Sequence, residues 1–311
     1  MRAIVVRKFG EPMETAEMPV PEPGAGAVQV QLTAAGVNPF DLRMATGYLK
    51  NALPHDFPMI LGVDGAGTVS AVGAGVTRFE VGDRVVGKFL VPPAGHGSFA
   101  EYSVLPEDAT LVHIPAKITT LAAAALPTAG VTAQDMVDAA AIRPGQKVLI
   151  VGATGGVGSF LVQLSNIAGA HVIATAGPAD ADQMARLGAA ETVDYHRAPV
   201  EDSVRFTHPD GVDVLFDLVS APDALADLTR LVRTGGAVYS TIGSADEQRL
   251  REREIRGGNI ESRGAAPELA RLLHRVDEGD VVIPVAATVP LSEAASVIGA
   301  PGARGKTVLA I

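Results

Sequence analysis

The run VGATGGVG, residues 151–158, limits the fold of this chain more than any other segment. It follows KVLI, apolar enough for a strand buried on both faces, and opens the periodic stretch SFLVQLSNIAG. A buried strand, a glycine turn and a helix in that order make a phosphate loop. The glycines let the backbone turn sharply and approach a ligand, and the helix N-terminus presents free N–H groups and the positive end of its dipole. We therefore expect Thr154, Gly155, Gly156, Val157 and Gly158 to hold a pyrophosphate, with strands at 147–153 and 171–176 and a helix near 157–168. A second glycine-rich stretch, GVDGAGTVSAVGAG at 62–75, is followed by alternating apolar residues instead of a helix. That one predicts turns of a small barrel.

The grammar of the chain changes near Leu121. Before it, short alternating runs such as AVQVQLTAAGV and GSFAEYSVLPEDATLVHIP are punctuated by Gly and Asp, as in a curled sheet. After it, LAAAALPTAGVTAQDMVDAAA reads as helix broken at Pro127, and strands at ETVDY, VDVLFDLVS, GAVYSTIG and NIESRG alternate with helical segments. That alternation predicts a parallel, doubly wound sheet. From about residue 267 a helix, PELARLLHRVDEG, leads to a strand-rich tail ending GKTVLAI, which is expected to return to the first domain. The fold class is α/β.

Composition narrows the partners. The net charge of −10 argues against nucleic acid and against an anionic membrane surface. With no cysteine there are no disulfides, no thiolate catalysis and no Cys-held zinc. MRAIVVRKFG lacks the pattern of a signal peptide, and the apolar runs are cut by Pro and Gly too early to span a bilayer. The cytoplasm is the expected compartment.

The second strand selects the cofactor. NAD sites place an acidic residue at its tip, to bind the ribose 2′-hydroxyl. Here the tip reads Thr175-Ala176-Gly177-Pro178, which leaves room for a 2′-phosphate, and Tyr195 and Arg197 after the third strand are placed to reach it. NADP(H) is expected over NAD(H), although Asp180 and Asp182 follow closely. Val219 after the fourth strand, and Ile242, Gly243 and Ser244 after the fifth, fall at carboxyl ends of strands, where such sheets bind ligands.

These residues carry a family resemblance. AAGVNPFDLRMATGY, FPMILGVDGAGTVSAVGAGVTRFEVGDRVVG, GSFAEYSVLP, LPTAGVTA, GQKVLIVGATGGVGSFLVQLSNIAGAHVIATA, LGAAETVDY and GKTVLAI, in that order, resemble the medium-chain dehydrogenase/reductase superfamily, in its zinc-free quinone oxidoreductase branch. The resemblance implies a GroES-like catalytic domain at 1–118, a Rossmann NADP-binding domain at 119–266 and a C-terminal part of the catalytic domain at 267–311. It places the active site in the cleft between them. It also implies a homodimer through edge strands, with GAVYSTIG and NIESRG as the candidate edge.

Zinc-using relatives carry Cys where this chain has Asn38 and His where it has Val63, so no metal is expected. His55, His96 and His113 show no ligand spacing. Without a Lewis acid to stabilise an alkoxide, reduction of a quinone or of a conjugated C=C is the easier chemistry. A pathway-specific enoyl reductase and an NADPH-binding protein with little turnover are the alternatives.

By the same resemblance Tyr48 faces the nicotinamide and can donate a proton to a developing enolate. Asn38 either holds the substrate or cofactor, or pins its own loop. Asp41 and Asp64 are expected as internal hydrogen-bond partners. Thr128, with Thr132 in the same segment, is expected near the cofactor. Phe40, with Leu49, Phe57 and Phe89, offers an apolar substrate wall, with core packing as the alternative for most of them. Lys306 is expected at the cleft or in a solvated turn.

Overall fold

The computed structural model describes residues 1–262, 264–300 and 304–311. In chain order the strands are β1 Arg2–Val6, β2 Glu14–Glu17, β3 Ala27–Gly36, β4 His55–Ile60, β5 Asp64–Val72, β6 Arg84–Lys88, β7 Ala94–His96, β8 Tyr102–Pro106 and β9 Leu111–His113. They continue as β10 Lys147–Val151, β11 His171–Thr175, β12 Glu191–Val193, β13 Val212–Asp217, β14 Val232–Ser240, β15 Arg256–Asn259, β16 Val285–Pro290 and β17 Lys306–Ala310. The helices are α1 Pro39–Ala45, α2 Thr120–Ala123, α3 Ala129–Ala140, α4 Gly156–Ile167, α5 Ala181–Arg186, α6 Val200–Thr207, α7 Pro222–Thr229, α8 Glu247–Glu252, α9 Ala266–Glu278 and α10 Ala294–Val297.

Two compact units result, the first comprising Met1–Val131, Gly264–Gly279 and Ile283–Ile311, the second Thr132–Arg263 and Asp280–Val282. The first unit runs past the boundary expected at 118, and the reason lies in β3. Gly36 has no Cβ, and one there would overlap the carbonyl of Ala124, so the α2 segment closes directly on the strand. Thr128 is then hydrogen-bonded to Asp64 at the start of β5.

In the first unit, a seven-stranded sheet runs β16-β17-β3-β5-β6-β9 with β8 on β3, beside a four-stranded sheet β2-β1-β4-β7. The alternation of AVQVQLTAAG in β3 becomes alternating burial from Val30 to Ala34, with residues 28–30 and 34–36 buried throughout, and Val28, Val30 and Leu32 join Phe79, Phe89, Leu105 and Leu111 in one core. The GVDGAGTVSAVGAG stretch is strand, not phosphate loop. The closing strand β17 lies antiparallel to β3, with Val308 opposite Gly36 and Leu309 opposite Ala35. The chain's tail thus completes the sheet that its opening began.

The second unit is a six-stranded sheet in the order β12-β11-β10-β13-β14-β15, parallel throughout. Successive strands leave β10 in opposite directions, which makes its carboxyl end the switch point of a doubly wound sheet. VGATGGVG stands at that end. Strands β10 and β13 are nearly continuous apolar runs because helices cover both faces of such a sheet. One expected strand moves. The edge strand is β15, Arg256–Asn259, rather than NIESRG, because Ala237–Ser240 of β14 pair with residues 256–259; residue 263 of that stretch lies outside the described residues.

Candidate functional site

At the β10 end, three glycines have separable jobs. Gly152 turns the chain at φ +85°, and a Cβ there would lie 2.9 Å from Val219 Cγ1. Its N–H donates to the Thr175 hydroxyl at 3.0 Å, which ties the turn to the end of β11. Gly155 is the N-cap of α4 and offers no capping side chain, so the first-turn amides of Gly156, Val157 and Gly158 are left for an anion. A Cβ on Gly155 would meet nothing nearer than the Gly152 carbonyl at 3.4 Å. A Cβ on Gly158 would overlap the Gly152 carbonyl and the Ala153 backbone, so α4 packs directly on the strand. Tight turn, open approach and close helix packing are the three requirements of a dinucleotide loop, and these residues fit such a cofactor.

Sequence reasoning named Gly155, Gly156 and Gly158 but passed over Gly152, whose need for a missing side chain arises from Val219, far along the chain. Thr154 is half-buried in the loop. Thr175 is buried, and its hydroxyl serves the turn. Val219 and Ile242 expose apolar side chains beyond β13 and β14, and Gly243 turns at φ +81° with open space around it.

At the β11 tip a Cβ on Gly177 would sit 3.2 Å from His196 Cδ2, and the His196 ring lies against that of Tyr195 with centroids 4.2 Å apart. His196, which the sequence did not single out, therefore stands between Gly177 and Tyr195. Asp180 is buried at the start of α5 and Asp182 is exposed. Nearby, Asp217 at the end of β13 is pushed up by burial, against hydrogen bonds from the Ser220 hydroxyl at 2.6 Å and from the Ser220 backbone.

In the first unit, Asn38 is the hub of a buried polar network. Its Nδ2 donates to Asp64 Oδ2 at 3.0 Å and to the Gly36 carbonyl at 3.3 Å. Its Oδ1 accepts from Lys306 Nζ at 2.7 Å, and the same ammonium donates to the Val37 carbonyl at 2.7 Å. Lys306 also stands 3.8 Å from Asp64 Oδ2. Asp64 accepts further from Thr128, through its N–H at 3.1 Å and its hydroxyl at 2.7 Å. Asp41, at the third position of α1, reaches back to accept the Asn38 N–H at 2.7 Å and takes the Val63 N–H at 3.1 Å. Asn before Pro39 and Asp at N3 thereby start α1 and fix the loop into it.

Burial drives the ionisation of this network. It pushes the Asp41 carboxyl up to about 7, opposed by the Asn38 N–H and reinforced by the charge of Asp64. It holds the Lys306 ammonium below the usual lysine range, opposed by attraction to Asp64 and Asp41. Lys306 is thus neither a solvated turn residue nor an exposed cation.

The donor set tests the zinc question directly. Around Asn38 stand an amide, two carboxylates and an ammonium, with the ammonium 2.7 Å from the amide oxygen. The Lys306 ammonium already compensates Asp64, burial lifts the Asp41 carboxyl to about 7, and Val63 stands where zinc-using relatives carry His. These residues do not fit a catalytic zinc, which takes thiolate, imidazole or free carboxylate ligands.

Tyr48 differs in kind from Asn38. Its ring is half-exposed, lies 3.7 Å beneath the Arg43 guanidinium and meets Phe40 edge-on at 6.3 Å. Among the described residues its hydroxyl has no hydrogen-bond partner. The apolar wall expected from four residues is shorter than that. Phe89 is buried in the core beside Phe79, and Phe57 pairs edge-on with Phe9 at 5.0 Å. Phe40 remains beside Tyr48, and Leu49 is half-buried one residue on.

Comparison with known proteins bears on the fold and the family. Residues 24–116 match the alcohol dehydrogenase GroES-like domain, and residues 156–266 match the zinc-binding dehydrogenase domain. The chain is 39% identical to the chloroplast envelope quinone oxidoreductase homolog of Arabidopsis thaliana, over 59% of this chain and 56% of that protein. It spans less than two thirds of that and the next two curated relatives, at 56%, 61% and 65% of their lengths. Among solved structures, the quinone oxidoreductase of Coxiella burnetii superimposes with a TM-score of 0.88 at 28% identity, covering 100% of this chain and 99% of that one. An NAD-dependent alcohol dehydrogenase superimposes with a TM-score of 0.88 at 32% identity, each chain covered completely. A nicotinamide cofactor is expected of this family. With its GroES-like and Rossmann domains and these relatives, the chain belongs to the medium-chain dehydrogenase/reductase superfamily, in the quinone oxidoreductase branch.

Proposed function

We propose that the chain is an NADPH-dependent oxidoreductase, zinc-free at its catalytic site, that reduces quinones or α,β-unsaturated carbonyls. The observation that carries this reading is the β10 loop, where Gly152, Gly155 and Gly158 each lack a side chain at the place a dinucleotide loop requires, ahead of an uncapped helix. The bound nicotinamide would supply the hydride. Preference for the 2′-phosphate rests on the neutral Thr175–Pro178 tip and on His196 and Tyr195 beside Gly177.

What the chain itself must then provide is a proton and a place for the carbonyl. Asn38 is a positioning residue in this scheme, since both ends of its amide are held by Asp64, Gly36 and Lys306. Thr128 likewise acts through Asp64. Tyr48 is the proton donor, with an unclaimed hydroxyl and with Arg43 and Phe40 fixing its ring. Phe40 lines the substrate side. The expected compartment is the cytoplasm. The expected state is a homodimer through the exposed edge strand β15, which sedimentation at micromolar concentration tests. Among the described residues no helix is long and apolar enough to cross a membrane.

The deciding experiment is steady-state reduction of a panel of quinones and enones with NADPH and with NADH. We expect NADPH to be preferred, and Tyr48→Phe to lower kcat on an enone by about 10²–10⁴, the usual contribution of a general acid, with NADPH affinity unchanged. Tight NADPH binding without turnover of any acceptor would make the chain a binding protein. Turnover confined to one acyl thioester would make it a dedicated enoyl reductase, and unchanged kcat would remove Tyr48 from the mechanism.

A further inference from the structure

A second polar cluster lies in the second unit, at the amino end of the sheet rather than at the glycine loop. Parallel pairing sets His171 level with Lys147, at the start of β10, and Glu191 level with Ile173. Side chains two apart on a strand share a face. His171 therefore shares a face with Ile173, and Glu191 with Val193. Ile173 and Val193 pack in one core with Val204 of α6, so all of these side chains face α6. His208, the residue that ends α6, comes to the same place.

Glu191 bridges the two imidazoles. His171 Nε2 lies 2.5 Å from Oε1, and His208 Nε2 lies 3.1 Å from Oε2. The three ligand atoms lie within 4.8 Å of one another. The imidazole planes stand at 71°, so both nitrogens converge on the carboxylate from different directions. His208 is buried, while side-chain exposures of 41% for His171 and 35% for Glu191 leave a path from solvent.

We propose that His171, Glu191 and His208 form a binding site for a late first-row divalent cation of the zinc class. Two imidazoles and one carboxylate on three separate elements make an N₂O set that such ions favour, and the spacing needs only small adjustments to reach ligand distances of about 2.0–2.2 Å. Each neutral imidazole moves its proton from Nε2 to Nδ1, exposing the lone pair, while Glu191 coordinates as a carboxylate. The remaining coordination positions face solvent and take water. The three-residue edge strand β12 would then be tied to β11 and to the end of α6, far from the hydride chemistry. The site is structural.

The test uses the full chain, freed of any affinity tag and stripped with a chelator. Zn²⁺ is titrated calorimetrically and Co²⁺ by visible absorption. The expected result is one equivalent bound in the micromolar range, with a rise in melting temperature. His208→Ala and His171→Ala should each weaken binding at least about tenfold, since losing a ligand costs no less than losing a residue that hydrogen-bonds to one. His171→Ala, the more exposed substitution, keeps the test valid where His208→Ala disturbs folding, and circular dichroism of each metal-free variant checks the fold. Absence of binding below millimolar would overturn the proposal. So would undiminished binding in the variants, which would place the metal at the exposed His96–Asp56 or His113–Asp83 pairs instead.

Discussion

Replacing Lys306 with methionine removes a buried ammonium while keeping most of its stem in place. The Lys306 side chain is 3% exposed and that of Asp64 0%, so neither charge is hydrated by bulk water. At an effective dielectric near 20, unit charges 3.8 Å apart attract by about 4 kcal/mol. That attraction is offset by the cost of desolvating both groups, so it is not the net worth of the pair. Removing one partner is different, because it leaves the other charge buried and uncompensated, at about 3–5 kcal/mol. Two effects bear on where in that range the variant falls. Asp64 keeps three donors, the Asn38 amide and both Thr128 groups, which favours the lower end. The Val37 carbonyl and Asn38 Oδ1 both lose a short donor, which adds to the loss. We expect about 3 kcal/mol.

A chain of two units need not unfold in one step, so the assay must report on the right unit. Hydrogen exchange of peptides from β3 and β17, read by mass spectrometry, follows the sheet that Lys306 anchors. Protection there should fall by roughly two orders of magnitude, the equivalent of 3 kcal/mol, while β10 and β13 keep theirs. Adding Asp64→Asn to Lys306→Met removes the stranded charge, so the double variant should lose less than the sum of the single losses by at least about 1 kcal/mol. A single-variant loss below 1 kcal/mol, or strict additivity, would refute the view of this network as a charge-compensated unit.

Two further outcomes follow from the same geometry. Burial lifts the Asp41 carboxyl to about 7, so between about pH 4 and 7 the folded state keeps a proton that the unfolded state has lost. Stability therefore falls as pH rises through that window, at up to about 1.4 kcal/mol per unit. Asp41→Asn should abolish this decline, and a wild-type-minus-variant difference in urea midpoint that stays constant from pH 5 to 7 would contradict it. Gly158→Ala should push α4 off the Gly152–Ala153 turn at about 1–3 kcal/mol and weaken NADPH binding, because the new methyl meets backbone rather than a movable side chain. Calorimetric NADPH binding equal to wild type would remove helix packing from the loop's function.

Legibility in the sequence divides by distance along the chain. The α/β class and the glycine loop were readable because the buried strand, the turn and α4 are contiguous, and period-2 and period-3.6 patterns report on local backbone. The β5 stretch was separable from a phosphate loop on the same ground. Roles of polar side chains were not readable, because their partners are remote. Asn38 was left open between binding a ligand and pinning its loop, and the answer depends on Asp64, 26 residues on, and Lys306, 268 residues on. Phe89 reads equally as substrate wall or core until remote Leu105 and Leu111 close around it, and nothing in the spacing of His171, Glu191 and His208 announces that one carboxylate bridges two rings. The same test that assigns Asn38 to positioning leaves Tyr48 in play. A polar group whose protons are both donated within the protein can donate to a substrate only by first breaking those bonds, at about 1–3 kcal/mol for each buried partner left behind. Asn38 would give up its bonds to Asp64, Gly36 and Lys306, although Asp64 keeps Thr128 and Lys306 keeps the Val37 carbonyl. Tyr48 would strand nothing, since its ring is fixed by Arg43 and Phe40 while its hydroxyl is claimed by no described residue. That difference is the ground on which Tyr48, held by its ring and free at its oxygen, is proposed as the proton donor.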